Sequence, residues 1–565
     1  MNQVFVRMNE WALVQGMVGY KRILEHADVP IDTKEQGLIV TREALEKLPE
    51  AYFHYFLNKY SLVKRNQSVL RSWHNKWKKG DKSFKKKLNK QLKDIENRAK
   101  NYFSDHPTGI TLLENINKYR TQKDYDQELD KVLNEIIQAM ENKDIDEKLT
   151  SNIFKAVHLK NYYGQVSFLN VSKNKLTIEE QIELFRRDFI QPVLDEWDFI
   201  QKLNENNTTN CIEILDKTNH KQLSSLKKSL KSTTTEDMKT YLDDHVFKCS
   251  LTDFPLGLYN FEEGIFSPLA LSIGNALNMT WNGEGKTYFP ICALARLLLF
   301  CSAAGATISN RKSVFVYFDG SFDQIYQANE HYHTEKDRDK TFDEVIFDLA
   351  REQHLRADWL AQNYMIFEYE SDYDSKKTLL DYMIMTPSLI KLFQSHHKLF
   401  SYIHYSNKTR FIKMLLKNID TKHLIAEVLR EKIKNGYSSL EVLFMTILRH
   451  YSQFYQKEDE EQMEADKQKK YIWILYKSAE TIRQKIGIKK AQGIAYRLLN
   501  AVQAGNKNTF MDTVMRVYIS NDTEMPTILL ESLHENKMDF ATVANAWIAG
   551  LISKPNEGDV INEKE

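Results

Sequence analysis

At 565 residues the chain holds several domains' worth of core. Its 78 basic and 77 acidic residues nearly cancel, so net charge nominates no partner and only a local excess can. Four cysteines, at 211, 249, 292 and 301, are too few and too scattered for a disulfide framework, which excludes a stapled secreted fold and points to the reducing cytoplasm.

Only 19 Gly and 10 Pro punctuate the chain, which favours long helices over many-stranded sheets. Residues 10–26 read as an amphipathic helix carrying Trp11, Val14, Val18 and Ile23. The opening stretch has Arg7 and Glu10 inside its apolar region and no cleavage site, so no signal peptide is expected. A strand at 37–40 leads into a helix capped by Thr41, and residues 50–160 look almost wholly helical. "QVSFLNV" (165–171) reads as a strand, and 204–210 and 231–237 as polar loops. Strands are expected at "SVFVYFDG" (313–320) and "YMIFEYES" (364–371), which are rich in β-branched and aromatic residues. The apolar run "ICALARLLLFCSAAGATI" is broken by Arg296, so no membrane span is expected. From about 376 the chain returns to helices with 3.6-period stripes, with Gly436, Gly487, Gly505 and Gly550 near their ends, where C-caps belong.

The expected fold is mainly α with a smaller α+β portion: a mixed N-terminal and central region followed by a C-terminal helical bundle. The divisions are 1–240, mostly helical; 241–375, loop-rich α+β; 376–553, the bundle; and 554–565, an acidic disordered tail.

"TWNGEGKTYFPICAL" (280–294) contains Gly285-Lys286-Thr287, the end of a phosphate-binding loop. That loop needs a glycine where Thr280 stands, and a helix directly after it, whereas Pro290 delays any helix to about Ile291. "DEWD" (195–198) precedes it within a helical stretch and is no metal-binding box, so ATP hydrolysis is not expected.

The strongest signal is the basic run 64–100, opposed only by Asp81, Asp94 and Glu96. Such a run on two helical segments concentrates positive potential suited to phosphates, and few acidic i,i+4 partners neutralise it before residue 93. Lys76, Lys78, Lys79, Lys82, Lys85, Lys86, Lys87 and Lys90 are the expected DNA-binding residues. Trp73 and Trp77 either stack on bases or anchor the helix in a core. The competing reading is a solvated charged helix.

Zinc finds half-empty knuckles: Cys249 is followed by Ser250-Leu251-Thr252 and Cys292 by Ala293-Leu294-Ala295. Buried, inert thiols are the expectation, with no metal and no cofactor. No hydrolytic motif occurs, and no catalytic residue is nominated. The rival to a binding protein is a nucleic-acid-processing enzyme with an unrecognised metal-dependent site, for which Asp319 is the candidate.

Residues 264–307 resemble the signature of the large subunit of type I-B CRISPR surveillance complexes, the b-type Cas-eight family. Phe266-Ser267-Pro268, Asn275, Trp281-Asn282-Gly283, Cys292 and Gly305 carry the likeness in order. "NEWALVQGMVGYKRIL" and the stretches "AYRLLNAVQAGNKNTFMDTVMRVYI" and "FATVANAWIAGLI" are similar to the family's two ends. Members often carry Cys-x-x-Cys pairs, which this chain lacks. The resemblance implies a non-catalytic role in antiviral defence: recognising the motif beside the target, binding DNA, stabilising the R-loop and helping to recruit a helicase-nuclease. The implied partners are guide RNA, double-stranded and displaced single-stranded DNA, and the backbone, guide-end-binding and small subunits. Asn275, Asn278, Trp281, Asn282 and Lys286 are the expected motif-reading loop, where Asn can read base edges, Lys bind phosphate and Trp wedge a base step. The alternative is that Trp281 packs in the core and Gly283 makes a turn.

Overall fold

Trp11–Glu25 (α1) is apolar on nearly every face and buried from Ala12 to Leu24, as a helix at the centre of a core must be. The computed structural model describes residues 2–230, 234–262, 264–269, 289–309, 312–330, 341–353, 363–372, 377–436, 438–454, 460–531 and 538–554. These are mainly helical with a minor α+β portion. Two compact units divide the chain: Met1–Phe315 with Gly320–His333 and Glu368–Asp381, and Val316–Asp319 with Thr334–Phe367 and Tyr382–Glu565.

In the first unit, Gln3–Arg7 (β1), Thr33–Lys34 (β2) and Gly37–Thr41 (β3) pair antiparallel in the order β1-β3-β2. Thr41 caps Arg42–Lys59 (α2) by accepting from Ala44 N at 3.2 Å. Five helices follow: Leu62–Lys78 (α3), Ser83–Phe103 (α4), Pro107–Thr121 (α5), Glu128–Met140 (α6) and Lys143–Val157 (α7). Ile178–Phe185 (α8) runs through a π-helical turn, Arg186–Ile190, into Gln191–Asn204 (α9). Short helices Thr208–Lys217 (α10), Lys221–Ser225 (α11), Lys227–Leu230 (α12) and Thr235–His245 (α13) lead to Tyr259–Asn260 (β4), which pairs with Pro290–Ile291 (β5). Ala293–Leu299 (α14) and Ser302–Gly305 (α15) then lie against α1. The approach requires glycine: a Cβ on Gly19 would stand 2.0 Å from Cys301 O, and one on Gly305 2.0 Å from Gln15 O. Thr307–Ser309 (β6) and Lys312–Tyr317 (β7) form an antiparallel pair, with Thr307 opposite Val314.

The expected strand at 165–171 is instead two 3₁₀ turns, Ser167–Leu169 and Val171–Lys173. Ser167 has φ of 50°, and the Asn170 side chain accepts from Ser172 N at 2.9 Å, so local hydrogen bonds bend the backbone away from extension. Both expected loops are shorter than thought, because Asn207 caps α10 and Thr234 caps α13 with its own capping box. The expected strands at 313–320 and 364–371 correspond to β7 and to Tyr364–Asp372 (β8).

The second unit contains the last four residues of Lys377–Met385 (β9), then Phe342–Gln353 (α17 in chain order, after Phe322–Glu330, α16, of the first unit) and, among the described residues, nine further helices. These are Pro387–Ser401 (α18), Tyr405–Leu416 (α19), Lys422–Asn435 (α20), Leu440–Phe454 (α21), Glu460–Ile486 (α22), Ile488–Gln503 (α23), Lys507–Ser520 (α24), Thr527–Glu531 (α25) and Phe540–Leu551 (α26). α26 is the bundle's buried axis, with Trp547 Nε1 donating to Tyr518 Oη at 2.9 Å. Gly436, Gly487 and Gly505 take positive φ at helix junctions, as expected. Gly550 does not. It lies inside α26, where a Cβ would be 2.0 Å from Tyr476 O, so its service is close packing against α22.

Candidate nucleic-acid interface

The basic run folds as α3 and α4, joined at Gly80, whose φ of 101° reverses the chain. Asp81 steadies the turn by accepting from Ser83 N at 3.0 Å. Both helices are amphipathic. Leu70 and Trp77 of α3, with Leu88, Leu92, Ile95, Ala99 and Phe103 of α4, pack against Leu112, Ile116 and Tyr119 of α5 and the apolar face of α6. Trp77 is 4 % exposed and therefore anchors this core; Trp73 packs partly buried against the same cluster.

The eight expected lysines separate into four environments. Lys78 pairs with Asp130 at 2.7 Å and Lys82 with Asp124 at 3.6 Å, both carboxylates supplied by the segment leading into and opening α6. That compensation comes from across the fold rather than from i,i+4 positions. Asp130 also receives His74 Nε2 at 2.6 Å, while His74 Nδ1 meets Tyr119 Oη at 2.6 Å. Lys78 first, then His74, hold the Asp130 carboxyl down at about 2. Lys85 donates to Tyr119 O at 2.9 Å with its ammonium over the Trp77 and Tyr119 rings, and burial pulls it down to about 8. Lys76 and Lys87 lie over Phe84 at 4.8 and 4.5 Å, their side chains exposed.

Lys79, Lys86 and Lys90 are exposed and carry no ion pair to a described residue. Lys93 joins them. Positions 86, 90 and 93 share one face of α4, opposite the buried stripe of 88, 92, 95 and 99. Helical spacing alone identifies Lys93, which a list drawn from charge density omitted. The resulting ridge is a row of exposed ammonium groups on one helix, able to contact successive phosphates, with Lys93 also helping to lower the Glu96 carboxyl after Lys100 and Arg120. Asn275, Asn278, Trp281, Asn282 and Lys286 lie outside the described residues.

The two half-knuckles meet. Ser250 N donates to Pro290 O at 2.8 Å and Phe261 N to Phe289 O at 2.8 Å, and β4 pairs with β5, so residues 249–261 are laced to 289–291. This lacing brings the buried Cys249 beside the buried Cys292. Thr252 Oγ1 lies 3.4 Å from Cys292 Sγ, and Ala295 N donates to the same sulfur at 3.3 Å. Beside them Glu196, 1 % exposed, accepts from Ala293 N at 3.0 Å and from His220 Nε2 at 3.1 Å. Burial pushes the Glu196 carboxyl up to about 7 despite these bonds. The Glu196–His220 pair had no sequence signal, since Glu196 lies within α9 and His220 caps α11. Among the described residues no group of three or more His, Cys, Asp or Glu side chains is gathered as metal ligands, Asp319 included. Also among them, no helix is long and apolar enough to cross a membrane.

No curated protein and no solved structure matches the chain. Residues 247–307, which span both half-knuckles, match the family model described as "CRISPR-associated protein (Cas_CXXC_CXXC)". The name denotes two Cys-x-x-Cys pairs; here neither Cys249 nor Cys292 has a cysteine three residues before or after it, a donor set that does not fit a four-ligand zinc site. The match indicates a CRISPR-associated protein.

Proposed function

We propose that this chain is the non-catalytic large subunit of a type I-B CRISPR RNA-guided surveillance complex, working in the cytoplasm. The observation that carries the reading is the CRISPR-associated match over residues 247–307. The exposed ridge Lys86, Lys90 and Lys93, with Lys79 at the hairpin end, supports a DNA-binding role, since base pairing with a guide supplies sequence specificity and leaves the protein an electrostatic task. In this reading the segment holding Asn275, Asn278, Trp281, Asn282 and Lys286 inspects the motif beside the target. The ridge holds DNA, the R-loop is stabilised, and a helicase-nuclease is recruited to cut.

The test is to tag the chain in its own host, purify it gently and sequence the RNA that accompanies it. Short RNAs sharing one repeat-derived end, together with several copies of a backbone subunit, are expected. Absence of such RNA, in cells shown to express the guide array, overturns the assignment.

A further inference from the structure

We infer that Cys249, Thr252, Cys292 and Ala295 form a metal-free counterpart of a four-cysteine knuckle, held together by hydrogen bonds to sulfur and by the neighbouring Glu196–His220 pair. The inference concerns this chain's own residues and stands apart from the role in DNA surveillance.

Spacing and convergence come first. A Cys-x-x-Cys knuckle places its second ligand three residues after the first. Here the third residue after Cys249 is Thr252, whose hydroxyl lies 3.4 Å from Cys292 Sγ, and the third after Cys292 is Ala295, whose backbone N–H donates to the same sulfur at 3.3 Å as the N-cap bond of α14. Both positions therefore meet at Cys292, with two of the four thiols absent. An alanine methyl offers no electron pair, and a neutral threonine hydroxyl is not among the donors that zinc takes from proteins.

The nearby polar groups do not replace the missing thiols, because their own bonds commit them. His220 Nδ1 accepts from Leu223 N at 3.2 Å, so the ring's proton is on Nε2, which donates to Glu196 Oε1. Glu196 Oε2 is taken by Ala293 N. Both ring nitrogens of His220 and both oxygens of Glu196 are thus already engaged.

Hydrogen bonds supply the cohesion that a metal would otherwise give. Cys292 Sγ accepts from Ala295 N at 3.3 Å and lies 3.4 Å from Thr252 Oγ1, and both cysteine side chains are enclosed. The lacing of residues 249–261 to 289–291 then needs no metal.

The experiment measures zinc in the full chain, purified without chelator, by inductively coupled plasma mass spectrometry, and follows thermal unfolding with and without excess 1,10-phenanthroline. The expected result is zinc well below one per chain and no change in Tm on chelation. Stoichiometric zinc, or a chelator-dependent fall in Tm, overturns the inference. Thr252→Cys combined with Ala295→Cys restores four thiols, and this variant is expected to take up ~1 zinc per chain and become chelator-sensitive. A variant that folds yet takes up no zinc shows that the four positions do not converge and also overturns it. Should the double variant fail to fold, Thr252→Val decides: it deletes the hydroxyl at Cys292 and is expected to lower Tm by a few degrees without altering metal content, and an unchanged Tm rejects the hydrogen-bonded knuckle.

Discussion

Lys85 holds its ammonium 4.2 Å from the centre of the Trp77 ring. The contact takes a lysine and a tryptophan that both look suited to nucleic acid and commits them to the inside of the helical hairpin. In the proposed role, DNA binding by α3 and α4 would then fall to the outward lysines. Replacing Lys86, Lys90 and Lys93 with Ala is expected to weaken binding on all sequences alike. The slope of log affinity against log salt should fall in magnitude by up to ~2.7 on duplex and ~2.1 on single strands. Lys85→Ala should leave the slope nearly unchanged. Titrations of the assembled complex at several salt concentrations check both, and an effect confined to one target-adjacent motif would contradict the assignment.

Trp77→Ala removes a buried anchor that packs against Tyr119 and Tyr125. The expected cost is about 3–5 kcal/mol, read as a lower urea midpoint. If Trp77 instead stacked on bases, single-strand affinity would drop while the midpoint stayed put.

Asp130 makes the hairpin acid-sensitive. Its carboxyl is lowered from the ordinary 3.8 to about 2 by Lys78 first and His74 next. A depressed acid contributes stability that is complete above the unfolded value and lost as pH falls through the folded one. Unfolding midpoints between pH 4 and pH 2 should therefore fall more steeply in the native chain than in Asp130→Asn.

Glu196 carries the opposite sign. Burial raises it from 4.5 to about 7, with His220 and Ala293 N opposing, so the folded state holds the extra proton. Its contribution is full below about 4.5 and is lost as pH rises through about 7. Glu196→Gln should flatten that dependence. It should also cost ~1–3 kcal/mol, because an amide cannot accept from both Ala293 N and His220 Nε2 and one buried donor is left unpaired. Chemical unfolding at pH 5 and pH 8 measures both effects.

Gly19→Ala puts a methyl 2.0 Å from Cys301 O, between α1 and the turn joining α14 to α15. The clash is with backbone, which cannot rotate aside. A loss of about 3 kcal/mol or more is expected, and a thermal midpoint within a degree of the native chain would show that the two segments separate freely.

Local chemistry determined much of this protein without help from tertiary structure. Thr41 as a cap, the stripes of α21 to α24, and the β-branched runs of β7 and β8 are decided within a few residues, and each stands where spacing and residue type put it. The concentration of lysine on α3 and α4 was equally legible, because charge density is a property of the chain itself. The segment at 165–171 was misread because alternation suggests a strand, whereas strands need a partner and Asn170 offered the backbone a nearer bond. Gly550 was misread as a cap because a glycine near a helix end looks alike whether it turns the chain or admits a neighbour.

Which lysines remain free was decided only in three dimensions. Asp124 and Asp130 reach Lys82 and Lys78 across the fold, and the α5–α6 core draws Trp77 and Lys85 inward, so pairing and burial depend on groups far away in the chain. The meeting of Cys249 with Cys292, and of Glu196 with His220, has the same origin. Sequence determined which groups were available; the close packing of distant segments determined which of them lost water and had to find one another.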